Sequence, residues 1–453
     1  MAVRAVEWPR DIAVLARSLA RSDAWFWLDG AAPDPDAGPG RSYLGESSDT
    51  RIAEPGRERD FLHGLRATAH AADGAGWVVA LGYEFGVALV GEDPADDDAP
   101  PAMALRAETV LVLDHARGIA ELHGPDDAAL SAWLERHGAS LGRPPRPAGG
   151  PTPPEADPRP PHPHSPSEPP RARWRCDEPG YLARVEACKA AIREGEAYVL
   201  CLTDTAEAEL SGADLPDATP LPLYLRLRAA GAATRGAVIV AEGRALVSTS
   251  PERFLSLRGR TIATHPIKGT RPRGGTPEED AILAADLAAD PKERAENLMI
   301  VDLMRNDLSR VCDAGTVRTE GFLRVETHPR VHQLVSTVSG RLRDGADIFD
   351  AIGACFPGGS MTGAPKRRAV QLLAELERGP RGLYSGCFGW LGSDGDAELA
   401  MAIRCVELRG LGTPRVRARA GAGGGITADS DPAAEYAEKQ LKAASLLAAL
   451  ARS

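Results

Sequence analysis

Apolar and polar positions along the chain change period several times, and each change predicts an element. Short apolar, β-branched or aromatic runs at residues 24–28, 76–81 and 109–114 predict strands, the second running on into Gly82-Tyr83-Glu84-Phe85-Gly86. An acidic, proline-containing loop at residues 92–101 interrupts them. Helical spacing over residues 181–194 predicts a helix that stops at Gly195. Residues 197–202 and 237–241 read as strands, and the second turns at Glu242-Gly243-Arg244 into 245–248, a hairpin that delivers Ser250-Pro251-Glu252. Strands at 254–257 and 261–265 follow, ending at Lys268 beside Gly269, Thr270 and a basic Arg271-Pro272-Arg273 turn.

Helix starts are marked by capping chemistry. Asp290-Pro291-Lys292-Glu293 offers an N-cap, a proline at the first helical position and a glutamate at the capping-box position. Asp431-Pro432-Ala433-Ala434-Glu435 opens the last helix the same way. Glu293 and Glu296 then share one helix face, as do Glu435 and Glu438, with Lys442 one turn later.

Proline dominates residues 143–173, which predicts an extended or disordered linker. It divides an N-terminal lobe of mixed α/β type (1–142) from a second domain (174–453), and no internal repeat is visible.

Composition narrows the classes. The 453 residues are 43% hydrophobic and 26% charged, which fits a soluble globular protein. A net charge of −11 argues against nucleic acid as main partner, though a local basic pocket for a small anion remains compatible with it. Seven scattered cysteines without a Cys-x-x-Cys pair suit reduced thiols in a cytoplasm. No apolar run is long enough for a membrane span, and the N-terminus lacks the apolar core of a leader.

Candidate chemistry concentrates after the linker. A lysine placed by a strand end and freed by a glycine is positioned for use as an amine, although a surface lysine in a basic loop looks the same in isolation. Carboxylate pairs on two helices suit a hard cation such as Mg²⁺, which takes oxygen ligands and keeps waters; acidic residues near helix N-termini are also ordinary dipole partners. His332 lies inside a β-branched run, where a satisfied core histidine is the commoner occupant. Residues 356–366 form a glycine-rich loop that Pro365 turns into a helix; its amides suit an anion, but the Gly-Lys-Ser/Thr ending of a nucleotide loop is absent. The run from Tyr384 to Gly389 reads as a strand start, and Arg404 ends an apolar strand as either a structural pair or a carboxylate clamp. Gly423-Gly424-Gly425 permits close backbone approach to a ligand.

The order of these clusters is more specific than any one of them. Ser250-Pro251-Glu252, Pro266-Ile267-Lys268-Gly269-Thr270-Arg271-Pro272-Arg273-Gly274, the Glu296–Leu308 run, Val331-His332-Gln333-Leu334-Val335-Ser336, the 356–366 loop, Ile403-Arg404 and the stretch from Gly423 to Ser430 closely resemble the chorismate-utilising enzymes. That family includes anthranilate synthase component I, aminodeoxychorismate synthase component I, isochorismate synthase and salicylate synthase. The resemblance covers about residues 177–450 and is looser before them. It implies a large α/β (α+β) sandwich of two facing, mostly antiparallel sheets with outer helices and the site between them. It further implies Mg²⁺ held by Glu296 and Glu438 with Glu293 and Glu435 beside them. Contacts to chorismate would come from Gly269, Thr270, Tyr384, Arg404, Gly423, Gly424, Gly425 and Lys442. His332 would lie near the ring or its leaving hydroxyl, and Glu252 would be the general acid.

The members of the family differ at two positions. Isochorismate and salicylate synthases carry a water-activating lysine where this chain has Val199. Anthranilate synthases carry alanine where this chain has Lys268, the form similar to aminodeoxychorismate synthases. In those the amine attacks ring carbon 2, and its pKa is expected to be lowered by desolvation or by Arg271 and Arg273. Nothing in the chain resembles a glutaminase nucleophile motif, so ammonia is expected from a separate glutamine amidotransferase subunit.

Overall fold

The structure is a computed structural model that describes residues 1–34, 38–69, 74–142, 172–211, 219–231, 233–328 and 331–451. Most of the expected proline-rich linker therefore lies outside the described residues. Two large sheets, of 12 and 10 strands, form the body, and every strand pairing in them is antiparallel.

Strands from both sides of the proline-rich segment are woven into each sheet. In the larger one, Trp25–Asp29 pairs with Arg235–Ala241, which leads through Arg244–Ser250 and Cys405–Arg409 to Arg415–Ile426 and Val199–Ser211. In the smaller one, Gly76–Leu81 pairs with Cys387–Gly392. The pattern reflects burial: Trp25–Asp29, Gly76–Leu81 and Cys387–Gly392 are buried at every position, which only a central strand covered on both faces can satisfy.

The inner faces meet in one core containing Phe26, Val78, Phe254, Phe356, Phe388 and Leu399. Each such side chain contributes roughly 1.5–3 kcal/mol relative to exposure. Helices Ile12–Leu19, Asp127–His137, Pro220–Ala230 and Pro432–Ala451 cover the outer face of the larger sheet through Leu15, Trp133, Leu223 and Leu446. All seven cysteines are buried free thiols, and among the described residues no helix is long and apolar enough to cross a membrane.

One buried ion pair ties the cleft together. Arg381 donates to both oxygens of Glu377, at 2.8 and 2.7 Å, to the Met361 carbonyl at 2.7 Å and to the Cys201 carbonyl at 2.9 Å. Its guanidinium also lies 4.0 Å from the centre of the Tyr83 ring. Glu84 accepts from the backbone N–H of Arg381 and Gly382, at 2.7 and 2.9 Å, so the N-terminal portion holds the turn leading to Tyr384. Arg381→Met should leave the Glu377 carboxylate buried and uncompensated, costing about 3–5 kcal/mol. A thermal melt should show a drop of several degrees; an unchanged melting temperature would mean that this pair holds nothing.

Candidate active site

Glu252 and Arg404 sit where the chain passes from one sheet to the other. Arg244–Ser250 belongs to the larger sheet and Arg253–Arg258 to the smaller, with Glu252 between them. Ala397–Met401 belongs to the smaller sheet and Cys405–Arg409 to the larger, with Arg404 between them. The crossovers are stitched together: Met401 donates its N–H to the Glu252 carbonyl at 3.1 Å, and Thr249 donates to the Arg404 carbonyl at 3.0 Å. Arg404 therefore does not end a continuous apolar strand as expected. It adopts φ +48°, a left-handed conformation rare outside glycine, which turns the chain between sheets. Its guanidinium donates to the Lys442 carbonyl at 2.8 Å, has no carboxylate partner among the described residues, and burial pulls its pKa down. Such a cation suits an incoming carboxylate.

Lys268 lies not at a strand end but within the strand Ile267–Pro272, where the pairing with Val331–Arg341 slips between Ile267 and Thr270. The bulge re-aims the side chain. It depends on Gly269 at φ +88°, where a Cβ would also press on Leu287 and Glu293. The ammonium reaches the glycine strand opposite: a Cβ on Gly425 would lie 3.2 Å from Lys268 Nζ, 3.5 Å from Glu296 Oε2 and 3.5 Å from Val199 Cγ2. Gly425→Ala should crowd these groups and cost roughly ten- to a hundredfold in kcat/KM. The melting temperature should barely move, and full activity would mean that the strand does not face the reacting groups.

The electrostatics of Lys268 run against the sequence expectation. Burial pulls its pKa down, but Cys201, Glu296, Glu252 and Glu438 together hold it above the ordinary lysine value. The Cys201 thiol is itself pushed up by burial and is uncharged near neutral pH, so the carboxylates carry this effect. The arginines expected to depress it are engaged elsewhere. Arg271 binds Asp286 at 2.8 Å and Asp290 at 2.6 Å, and Arg273 binds Asp280 at 2.7 Å.

Glu252 is buried, with Ser360 Oγ donating to its Oε1 at 2.7 Å. Burial raises its pKa, while the Ser360 bond and the charges of Lys268, Lys442 and Arg235 restrain the rise. Ser360 comes from the glycine-rich loop, read in the sequence as a backbone anion cradle; its hydroxyl was the overlooked group there.

The two acidic helices start as their caps predict. Asp290 accepts from the N–H groups of Lys292 and Glu293, and Asp431 from that of Ala434. Their glutamates meet lysines: Lys442 lies 2.7 Å from Glu438 and donates to the Gly423 carbonyl at 2.9 Å, while Lys292 lies 3.5 Å from Glu435 and 3.9 Å from Glu296. A Cβ on Gly424 would touch Glu435 Oε2 at 2.9 Å. Among the described residues, no three Asp, Glu, His or Cys side chains are already gathered as a metal cluster. The donor chemistry nonetheless fits a hard cation: the candidate ligands are all oxygens, and burial raises Glu293 and Glu296, with neighbouring carboxylates adding to it.

Three further expected residues have these neighbours. His332 is buried with both ring nitrogens engaged, Nε2 with Asp280 at 2.8 Å and Nδ1 with Thr327 at 2.9 Å; neither Lys268 nor Glu252 is among its hydrogen-bond partners. Thr270 is exposed in register with Gln333. Tyr384 is buried with its ring against Gly421, where a Cβ would come within 2.0 Å of it, and burial raises its phenol.

Comparison with known proteins bears on the fold and the family. The model of the family described as chorismate binding enzyme matches residues 23–448. The aminodeoxychorismate synthase of Streptomyces griseus is 43% identical over 82% of this chain, which spans about half (49%) of that protein's length. Anthranilate synthase component 1 of Streptomyces coelicolor is 38% identical over 83% of this chain and 73% of its own. The crystal structure of anthranilate synthase component I from Streptococcus pneumoniae superposes with a TM-score of 0.70 at 25% identity, over 99% of this chain and 92% of that one. The chain belongs to the family of chorismate-binding enzymes.

Proposed function

We propose that this chain carries the chorismate-converting step of an aminodeoxychorismate synthase, forming 4-amino-4-deoxychorismate from chorismate and ammonia for p-aminobenzoate and folate synthesis. The observation that carries this reading is the placement of Lys268 among Glu252, Glu296 and Glu438, with the inert Val199 beside it. A valine there leaves no base to activate water, which disfavours isochorismate-type hydration. The likeness to the Streptomyces griseus enzyme points the same way.

In this mechanism Lys268 first passes its ammonium proton to a neighbouring carboxylate; the freed Nζ lone pair then bonds to ring carbon 2, the ring double bond shifts, and the carbon 4–oxygen bond breaks. Glu252 gives its proton to the leaving hydroxyl, which departs as water. Ammonia then bonds to carbon 4 and the lysine nitrogen leaves carbon 2, restoring the amine. Arg404 and Lys442 are the cations that would hold substrate carboxylates, with Tyr384 and the Gly423–Gly425 backbone beside them. Glu296 and Glu438 would hold Mg²⁺, with Glu293 and Glu435 adjacent; the ion would supply positive charge to a substrate carboxylate. Ammonia would be delivered by a glutamine amidotransferase partner, and a cytoplasmic setting fits the free thiols.

The second reading, an anthranilate synthase component I or a 2-amino-2-deoxyisochorismate synthase, draws support from the Streptomyces coelicolor relative. A catalytically silent relative is disfavoured by the presence of Glu252, Lys268 and both glutamate pairs. Incubation with chorismate, Mg²⁺ and ammonium, followed before and after addition of a lyase, separates the three. The proposal expects p-aminobenzoate only once the lyase is added. Anthranilate fluorescence without lyase, or chorismate consumed into an amine that the lyase does not turn into p-aminobenzoate, would select the second reading, and no turnover the third.

A further inference from the structure

Lys439 is a lysine with no access to solvent, on the helix that carries Glu435, Glu438 and Lys442. Its ammonium bonds Asp204 at 3.0 Å, and both side chains are 0% exposed. Three rings surround it, with centroids at 4.0 Å for Trp174, 4.4 Å for Tyr181 and 4.8 Å for Tyr436. The other Asp204 oxygen accepts the Thr205 N–H at 2.9 Å, so the carboxylate is held from both sides.

The placement of this pair matters more than its strength. An apolar pair of similar volume would hold the helix to the sheet as well or better, because burying two charges is costly. Unlike an apolar contact, an ammonium–carboxylate bond is directional, and ring faces on its remaining sides favour one place for the cation, so the pair is suited to setting how the helix is rotated. Lys439 follows Glu435 by four residues and precedes Lys442 by three, so the three share a helix face. Asp204 pairs across the sheet with Ala422, next to Gly423, whose carbonyl accepts Lys442. A pin at this point sets the aim of the residues on either side.

We propose that Lys439, through Asp204 and its aromatic cage, is a positioning residue that orients the helix Pro432–Ala451 so that Glu435, Glu438 and Lys442 face the glycine strand. This rests on the reading of those residues as cation- and substrate-binding. Three variants test it: Lys439→Met, the double variant Lys439→Met/Asp204→Leu, and the milder Asp204→Asn. Lys439→Met leaves Asp204 unpaired and should lower the melting temperature. The double variant removes both charges and should recover most of that loss. A positioning role then predicts that the recovered protein still needs about tenfold more Mg²⁺ for half of the Mg²⁺-induced melting shift, with a comparable fall in kcat. Asp204→Asn should show the same direction at about threefold, and it carries the test if the other two do not fold. If the best-folded variant matches the parent in both Mg²⁺ response and kcat, the pair is structural only and the proposal falls. Failure of the underlying reading is separately visible, because the parent chain itself would then show neither a Mg²⁺ shift nor chorismate turnover.

Discussion

Lys268→Ala is expected to abolish amination at carbon 4, with kcat/KM falling on the order of a thousandfold or more, as when a covalent nucleophile is removed. The loss should be chemical rather than structural. Lys268 sits in a bulge stabilised by Gly269, and its strand pairs with Val331–Arg341 through backbone bonds that alanine keeps. Removing the ammonium also relieves the burial of a cation while depriving Glu252, Glu296 and Glu438 of a positive neighbour. Melting should therefore shift little. The smaller side chain opens space beside Val199 and Gly425, so a trace of amination at carbon 2, read as anthranilate-type fluorescence, is the expected residual activity. Undiminished 4-amination by the alanine variant would exclude a covalent role.

Glu252→Gln should lower kcat by about 10²–10⁴ with chorismate affinity largely kept. Glutamine still accepts the Ser360 hydrogen bond at Oε1 but has no proton to give the leaving hydroxyl. The pH dependence has a definite sign. Burial raises the folded-state pKa of Glu252, so the folded chain keeps this proton to higher pH than the unfolded chain does. Stability from this group is then lost as pH rises from the ordinary glutamate range through the raised value. Activity that needs the protonated acid declines over the same interval. Glutamine should remove that descending limb and slightly raise the melting temperature at neutral pH. A variant with near-normal kcat, or one that keeps the limb unchanged, would take the acid role away from Glu252.

The sequence revealed those features that depend on neighbours along the chain. The helix starts at Asp290 and Asp431 follow from capping chemistry within one turn, and the paired glutamates follow from helical period. Antiparallel sandwich architecture came with the ordered motifs. What stayed hidden depends on distant partners. Nothing near Lys268 signals a bulge, because the slip is defined only against Val331–Arg341. Arg271 and Arg273 look free to depress Lys268 until helix Pro277–Ala289 and Asp290 bring carboxylates onto them. His332 is saturated by Asp280, 52 residues earlier, and by Thr327. The weaving of the first 142 residues into both sheets is set by strand pairings that no local pattern encodes. Arg404 reads as the end of an apolar run, whereas the crossing between sheets requires its left-handed turn.

The covalent role of Lys268 is tested most directly by trapping. The chain is incubated with chorismate and Mg²⁺ without any ammonia source, quenched, digested and examined by mass spectrometry. The expected result is a peptide containing Lys268 that carries chorismate less one water, released when ammonium is supplied before quenching and missing in Lys268→Ala. Rapid formation of 4-amino-4-deoxychorismate once ammonium is supplied, with no adduct on Lys268 beforehand, or an adduct on another lysine that ammonium discharges, would contradict the nucleophilic role assigned to this residue.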